Sequence, residues 1–583
     1  MVAVEDSFTN STCKGSASTV TIIRHPKVNP FLQTPVSVLV ANEYLNRIEF
    51  VDLMNSAVAW NADRRSTPLG ILAKSIVLST FYETRSPLYH VASRFEQADT
   101  QFLFGPGVQP QHFDDDALAA CLDAIYEAGP SKLFSGLTLS TYTQYDLDMS
   151  RFHSDTSNLV MYGEYESCEE EDYDGIRITH GHSKANRPDK KQVGVGSIVN
   201  RDGIPLVSQA LDGNKADCEW NQEAIRVLRD VLGDKLSKAV YIADCKLITM
   251  PNIHLLCQES APVQFISRCP DAFYGKVTNQ LIEQAYQEGA VWSEPLSVGK
   301  KETYTRYRIQ EFTKRVETHD LRFLVVETSS NQKLMDACIE REREEFEQAV
   351  KRLTAQSFAC EKDAQTAYHA FQTQHKKQLW KLNGIVASTN KIVYKRGRRA
   401  AHQPPQVDRT DTTWHIQSAG IERHEENITK KTRQTMTFVL VTNVPAATLG
   451  SKEILFTYKG QSVVEVQFHL LKTPCLASQV FLKKPERIEA LMMLLHVALL
   501  VRALMQYQAR QRVKEMKDVP RVGLNKQRYT NPTASSLLVL LRDYYILFDG
   551  QNRYHSPCTS FQEERLGVLL YLLDVDEDRL FMQ

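Results

Sequence analysis

The chain has 583 residues, 42% of them hydrophobic and 24% charged, and its 69 basic residues nearly balance its 70 acidic ones, for a formal net charge of −1. This composition is typical of a globular protein with several domains, and it excludes a uniformly basic coat for nucleic acid. Eleven scattered cysteines without a CxxC pair, and a beginning without a signal-peptide pattern, predict a cytosolic protein with reduced thiols.

Residues 1–148 have mainly helical periodicity after a start rich in Ser and Thr. The best-delimited helix lies in FDDDALAACLDAIYEAG (113–129), because acidic residues open it and a glycine ends it. Several short helices in a row suit a helix-turn-helix-like unit that binds DNA ends, but they suit any other small bundle equally. No recognition-helix sequence separates the two interpretations.

Residues 149–270 alternate between strand and helix patterns. Strands are predicted at 151–162, within VGVGSIVN and LVSQAL, in VYIA just before Asp244, and in VQFIS, with a helix at about 218–233. Three adjacent strands, a helix and then further strands is the order expected of a ribonuclease-H-like core. A core strand resumes in TFVLVTN (437–443), and this second part of the core is predicted to extend to residue 508.

Between 271 and 436 the alternation is lost, which predicts an inserted domain that is largely β with a long charged helix near 331–380 and a basic loop after it. Residues 509–583 contain amphipathic segments that predict a helical C-terminal region. The apolar run 490–501 is broken by His496 and ended by Arg502, so it predicts a buried helix and no membrane span. The predicted fold class is therefore α/β: a ribonuclease-H-like core, an insertion, and helical regions at both ends.

Four polar residues, Tyr458, Gln461, Glu465 and Lys472, occur in YKGQSVVEVQFHLLK. If the segment is one helix, a turn of about 100° per residue places all four on one narrow stripe, opposite the apolar side chains. A carboxylate beside a phenol, an amide and an ammonium suits a phosphate and its metal ion. An ordinary amphipathic helix with a mixed polar face is the alternative.

Two further carboxylates precede this stripe. Asp155 follows the start of the strand at 151–162, and Asp244 ends the short strand in AVYIADCKLIT. With Glu465 they resemble the acidic triad of the DDE transposases. The ordered set looks like the cut-and-paste insertion-sequence class, whose signature is Tyr, two residues, Arg, three residues, Glu, six residues, Lys; Gln461 stands where that signature has Arg. Segments 178–217 and 480–504 also resemble this class, so the likeness covers most of 100–505.

The resemblance implies that Asp155, Asp244 and Glu465 are catalytic and hold two Mg²⁺ ions, for which Mn²⁺ is a plausible substitute. Such a metal pair activates the attacking oxygen and stabilises the leaving one in phosphoryl transfer. Tyr458, Gln461 and Lys472 would then contact DNA phosphates, although Gln lacks the two-pronged fork that Arg offers. In GHSKANRPD, Lys184 and its basic neighbours would either contact phosphate or form a turn held by local hydrogen bonds.

The stretch 372–400 has eight Lys or Arg and no acidic residue, the strongest local basic patch of a nearly neutral chain. It predicts phosphate contacts from Lys395, Arg396, Arg398 and Arg399, with a merely solvated loop as the alternative. In the insertion, Trp292 is a candidate for stacking on a DNA base, as in relatives, and a core position on a strand is its alternative.

These patterns predict a DNA transposase that cleaves double-stranded DNA at the ends of its own element and joins them to target DNA. The expected protein is a homodimer on DNA in a bacterial or archaeal cytosol, without membrane contact. Two alternatives remain: a metal-dependent nuclease of the same fold that cuts without joining, and an inactive relative that only binds DNA.

Overall fold

The computed structural model describes residues 31–61, 67–83, 87–169, 173, 175–287, 289–298, 304–397, 404–473 and 482–581. Its N-terminal part is a short strand followed by seven helices: β1 (Leu32–Pro35), α1 (Val36–Arg47), α2 (Phe50–Ala57), α3 (Leu69–Ser79), α4 (Val91–Phe95), α5 (Thr100–Phe104), α6 (Asp115–Ala128) and α7 (Pro130–Gln144). The helix predicted in 113–129 is confirmed as α6. Asp114 caps it by accepting a hydrogen bond from the Ala117 N–H, and Gly129 ends it with a φ of 86°.

The alternating region forms the first half of the main sheet. Its elements are β2 (Arg151–Val160), β3 (Gln192–Asn200), β4 (Pro205–Leu211), α8 (Asp217–Leu232), β5 (Val240–Ala243), α9 (Met250–Leu256) and β6 (Gln264–Arg268). β2, β3 and β4 are antiparallel neighbours, whereas β5 and β6 run parallel to β2. Helix α8 covers one face, where a Cβ on Gly196 would lie 2.6 Å from the Trp220 ring, so this glycine permits the close approach.

The segment 271–436 is less purely β than predicted. It contains α10 (Val277–Ala285), β7 (Leu296–Val298), β8 (Thr305–Val316), β9 (His319–Thr328), α11 (Gln332–Thr354), α12 (Glu361–Gln374), β10 (Trp380–Tyr394), β11 (Val407–Arg423) and α13 (Glu425–Met436). The single long helix was a wrong prediction, because Phe358 leaves the helical path and exchanges two backbone hydrogen bonds with Trp414 of β11. The prediction of a basic loop was also wrong, because the described part of that stretch pairs with later residues in an antiparallel hairpin of β10 and β11.

β12 (Thr437–Thr442) joins the two halves of the sheet, since it pairs with β6 on one side and β9 on the other. The nine strands follow the order β4-β3-β2-β5-β6-β12-β9-β8-β7. The protein is therefore a mixed α/β protein built on a large mixed sheet, and β7, β8 and β9 of the predicted insertion extend that sheet.

The remaining elements are α14 (Ser451–Lys459), α15 (Ser462–Leu471), α16 (Pro485–Glu515), α17 (Ala534–Leu541), β13 (Tyr545–Phe548), β14 (Arg553–His555) and α18 (Ser560–Leu572). α16 is long and apolar enough to cross a membrane, but 94% of its most apolar window is buried inside the protein, as predicted for a buried helix. The C-terminal region is not purely helical. β13 pairs with β1, more than 500 residues away in sequence, and with β14. Arg553 anchors this sheet through its 2.8 Å ion pair with Asp99.

Candidate functional site

Asp155 and Asp244 meet at the same level of two neighbouring strands. β2 and β5 pair in parallel with the register Arg151↔Val240 and His153↔Ile242. Continued by two residues, this register sets Asp155 beside Asp244 on strands about 4.8 Å apart. Asp155 therefore lies in the middle of its strand and not at its end, but it stands where the shorter β5 stops.

The carboxyl groups of this pair are partly buried and electrostatically coupled. Burial raises the pKa of Asp155 to about 6; Lys184 lowers it, and Asp244 and Asp217 raise it. Burial also raises the pKa of Asp244, opposed by the backbone N–H of Lys246 and reinforced by Asp217. Burial is thus the main cause of both shifts, and a bound cation would favour the ionised form of both carboxyl groups.

Each aspartate uses one oxygen for a local hydrogen bond. Asp155 Oδ1 accepts from the Thr156 N–H at 2.7 Å, and Asp244 Oδ1 accepts from the Lys246 N–H at 3.0 Å. Within the described part of the chain, the Oδ2 atoms form no hydrogen bond. These oxygens are available for a ligand, and the local bonds hold both carboxyl groups in place.

A network next to Asp155 was not anticipated as a unit from the sequence. Lys184 Nζ donates to the carbonyl oxygen of Thr156 at 3.0 Å and to its Oγ1 at 2.7 Å, and lies 3.3 Å from Asp217 Oδ1. The Thr156 hydroxyl also donates to Asp217. Asp217 begins α8, and its position directly before a predicted helix is the sequence signal that could have singled it out. Lys184 is the nearby cation that partly balances the aspartate pair.

The rest of the GHSKANRPD segment forms a locally bonded turn. Arg187 makes a two-pronged contact with Asp189, with both distances 2.8 Å, and its N–H donates to Ser183 Oγ. The carbonyl oxygen of His182 accepts from Asn158 Nδ2. The segment therefore contains the turn held by local hydrogen bonds, with Lys184 directed towards Thr156 and Asp217. Its contact with phosphate stays a prediction.

The four-residue polar stripe does not lie on one straight helix. α14 ends at Lys459 and α15 begins at Ser462, and the junction tightens through hydrogen bonds that span three residues, from Gln461 N to Tyr458 O and from Val463 N to Gly460 O. At this junction a Cβ on Gly460 would approach the His153 ring of β2 to 3.3 Å, so the glycine permits close packing there. The segment 458–472 is therefore divided between two helices and is not the single helix considered from the sequence; α15 packs on β2, and α14 packs on β6 and β8.

Three of the four stripe residues nevertheless interact with the aspartate pair or with the strand that holds Asp155. Burial raises the pKa of Tyr458 to about 12, and both Asp244 and Glu465 contribute to the rise. Burial lowers the pKa of Lys472, which interacts with Lys184 and Asp155. Gln461 Nε2 donates to the Ser154 carbonyl oxygen at 3.3 Å, and its buried Oε1 has no partner. Tyr458 thus lies within electrostatic reach of two of the three predicted catalytic carboxylates.

The third of these carboxylates, Glu465, is exposed on α15, whereas Asp155 and Asp244 are partly buried. Among the described residues, no group of three His, Cys, Asp or Glu side chains is arranged to hold a metal ion. In donor chemistry the two aspartates fit a hard cation such as Mg²⁺, which prefers carboxylate oxygens and retains water ligands.

The basic stretch 372–400 runs from the end of α12 along β10. Lys395 and Arg396 are exposed at the end of β10, whereas Arg398 and Arg399 lie outside the described residues. The opposite strand contributes acidic residues that the sequence count of 372–400 did not include: Asp411 faces Lys391 in register and pairs with Arg409 at 2.8 Å. Acidic residues of β11 therefore offset part of the basic charge of this stretch, and Glu422 pairs with Lys381 at 3.4 Å.

Trp292 is half-buried and already has contacts on its ring. The Tyr286 ring lies 5.3 Å away, centroid to centroid, and the Arg308 guanidinium lies 5.3 Å from the Trp292 ring centroid. The surroundings agree with the packing alternative for this tryptophan, since two side chains of the same chain occupy positions against the indole.

Comparison with known proteins gives a family match over one segment of the chain and a distant similarity to a solved structure. A family model described as a domain of unknown function (DUF4277) matches residues 38–139, from α1 to α7. No curated protein matches the chain. Among solved structures, the chain is similar to the piggyBac transposase in a cryo-EM synaptic complex with hairpin DNA, at 9% identity and a TM-score of 0.36, with 94% of this chain and 87% of that chain covered. Likeness at this level decides neither the family nor the function, so the acidic site is the feature that bears on function.

Proposed function

We propose that the protein is a DNA transposase that cleaves DNA at the ends of its element and joins them to a target in a metal-dependent reaction. The observation that carries the proposal is the parallel register that sets Asp155 beside Asp244, with α15 packed on β2 and α14 packed on β6. The strand order supports it as well. Three antiparallel strands, a helix, and two strands parallel to the first follow the order expected of a ribonuclease-H-like core.

In this proposal Asp155 and Asp244 hold Mg²⁺, with Glu465 as the third ligand. When bound, the metal ions supply charge that stabilises the attacking and leaving oxygens of a phosphodiester. The raised pKa of both aspartates supports a cation site, because burial disfavours their ionised forms and, for Asp155, the charge of Asp244 adds to this effect.

The chain's own side chains would position the DNA. Lys472 is half-buried beside Asp155, so its ammonium can neutralise a phosphate next to the scissile bond. Tyr458 and Gln461 line the same end of the sheet, and Gln461 offers one N–H that now donates to Ser154. Farther away, Lys395 and Arg396 at the tip of the hairpin would contact the DNA backbone without reading sequence.

The decisive experiment combines the purified protein with linear DNA carrying the inverted repeats that flank its gene, and it measures cleavage and joining separately. The proposal requires both products with Mg²⁺ or Mn²⁺ and neither with EDTA. Asp155→Asn and Asp244→Asn should each remove both products. Asp230→Asn, an exposed change on α8, is the matched control and should remain active. Cleavage without joining would identify the protein as a nuclease, and DNA binding without cleavage would identify an inactive relative.

A further inference from the structure

A second polar site lies on the opposite face of the sheet. A cavity of about 600 Å³ opens between β8, β9 and α13, with Arg306, Arg308 and Glu327 on its sheet side. These residues alternate along their strands with Tyr307 and Val326, which belong to the apolar cluster on the α14 side of the sheet. The cavity is therefore separate from the aspartate pair, and it does not depend on the proposed function.

Positive charge in this cavity exceeds negative charge. Its lining has three arginines, Arg306, Arg308 and Arg433, and one acidic residue, Glu327, which leaves two positive charges. Glu327 is fully engaged, since Arg308 Nε donates to its Oε2 at 2.6 Å and the Tyr286 hydroxyl donates to its Oε1 at 2.8 Å. Arg308 and Glu327 therefore form a structural pair within the wall.

The other two guanidinium groups have no acidic partner among the residues that the structure describes. Arg306 donates to the Tyr304 hydroxyl at 2.7 Å, and Arg433 lies over the Tyr286 ring at 4.9 Å. Within the described part of the chain, neither forms an ion pair. Both side chains belong to exposed residues, so their remaining N–H groups are hydrated and can exchange water for an anion.

The charge and size of the cavity select a class of ligand. Arginine forks match phosphate oxygens in two-pronged contacts, and a phosphomonoester carries about −1.5 to −2 charges at pH 7, which would balance the two free guanidiniums. Ser329 Oγ accepts from the Arg306 N–H, so its hydroxyl hydrogen is free to donate to the same anion. The volume exceeds that of a phosphate alone and falls in the range of roughly 300–1,000 Å³ that holds small organic ligands. Ile428 and Met436 supply an apolar wall for the organic part.

We propose that this cavity binds a phosphomonoester of nucleotide size, with its phosphate held by Arg306 and Arg433. The phosphate could belong to a free nucleotide or to the 5′ end of a DNA strand, and the chemistry of recognition is the same for both. The Arg308–Glu327 pair keeps the wall in place without taking part in charge recognition.

Titration calorimetry on the full chain tests the proposal, with deoxyadenosine monophosphate as the probe and deoxyadenosine as its neutral counterpart. The monophosphate should bind at least tenfold more tightly than the nucleoside. Arg306→Gln and Arg433→Gln should each weaken its binding about tenfold, the loss expected for one charge-assisted contact. Arg315→Gln removes the same charge from an exposed position on the same strand and should leave binding unchanged.

A short oligonucleotide with and without a 5′-phosphate separates the two sources of the ligand. Preference for the phosphorylated strand over the free nucleotide supports the site and assigns the ligand to DNA ends, while the reverse preference supports it and assigns a free nucleotide. Equal binding of nucleoside and monophosphate, or the same loss from Arg315→Gln as from the two cavity variants, would overturn the proposal. Absence of binding by every phosphorylated probe would overturn it as well.

Discussion

Asp155 and Asp244 stand side by side because β5 is parallel to β2 and ends where Asp155 occurs in its neighbour. The relationship joins residues that are far apart in sequence, and it concentrates two carboxylates where Lys184 is the cation with the largest effect on Asp155. Hydrogen bonds to the Thr156 and Lys246 N–H groups fix one oxygen of each carboxylate. The two carboxyl groups are therefore held in place before a ligand binds. Their effect on cleavage can be measured with DNA, and their effect on the free energy of unfolding can be measured without it.

Loss of one carboxylate should abolish cleavage while DNA binding persists. We expect Asp155→Asn, Asp244→Asn and Glu465→Gln each to reduce cleavage by about three orders of magnitude or more, since each removes a proposed metal ligand. Binding to the element ends, measured by gel shift, should change less than about threefold. If Glu465→Gln cleaves normally while the aspartate variants do not, the exposed glutamate does not belong to the site.

The stability of the metal-free protein should depend on pH through Asp155. Its folded pKa of about 6 lies above the ordinary value of 3.8, so its stabilising contribution is complete below about pH 4 and is lost as the pH rises through 6. Asp155→Asn does not titrate. The free energy of unfolding of this variant relative to the wild type should therefore rise by up to about 3 kcal/mol between pH 4 and pH 7. Urea unfolding of both proteins in EDTA at pH 4 and pH 7 measures this difference. If the variant and the wild type differ in free energy of unfolding by the same amount at both pH values, the raised pKa is contradicted.

The tip of the hairpin should bind duplex DNA regardless of sequence. The combined replacement by Gln covers Lys395, Arg396, Arg398 and Arg399. Each lost phosphate contact should lower the slope of log affinity against log salt by roughly 0.9. The control replaces four exposed lysines elsewhere, Lys235, Lys238, Lys333 and Lys517. The prediction fails if the slope is unchanged in the hairpin variant or falls by the same amount in the control. The four basic residues would then be solvated and would not contact DNA phosphates.

Lys472 should matter more for turnover than Gln461. Lys472→Ala deletes a full charge near Asp155, whereas Gln461→Ala removes one neutral hydrogen bond to Ser154. With saturating DNA we expect a loss in cleavage rate of about 100-fold for the lysine variant and about tenfold or less for the glutamine variant. Wild-type rates in both variants would exclude a phosphate-binding role for Gln461 and Lys472.

Gly196 is required for the packing of α8 on the sheet. A Cβ at this position would lie 2.6 Å from the Trp220 ring, so Gly196→Ala should lower the free energy of unfolding by about 1–3 kcal/mol. A Cβ on Gly136 of α7 would meet no atom within 4 Å, and Gly136→Ala should raise stability by about 0.4–1 kcal/mol. Thermal or urea unfolding of the two variants should show opposite signs, and a neutral Gly196→Ala would mean that the helix can shift without cost.

Local patterns in the amino-acid sequence were enough to predict many of the elements and the residues worth testing. Strand patterns near Asp155 and Asp244 and the acidic opening of α6 are local signals, because side-chain periodicity and capping act over a few residues. The buried character of α16 was also evident, since His496 and Arg502 interrupt an otherwise apolar run.

How these pieces meet depends on tertiary contacts. The break after α11 follows from the pairing of Phe358 with Trp414. Between α14 and α15, Gly460 permits close packing, because a Cβ there would lie 3.3 Å from the His153 ring. The basic loop became a hairpin because residues beyond it supply its second strand. Lys184 and Asp217 joined the acidic site through Thr156. Such contacts link residues far apart in sequence, and their energies depend on chain closure and shape complementarity, which periodicity does not encode.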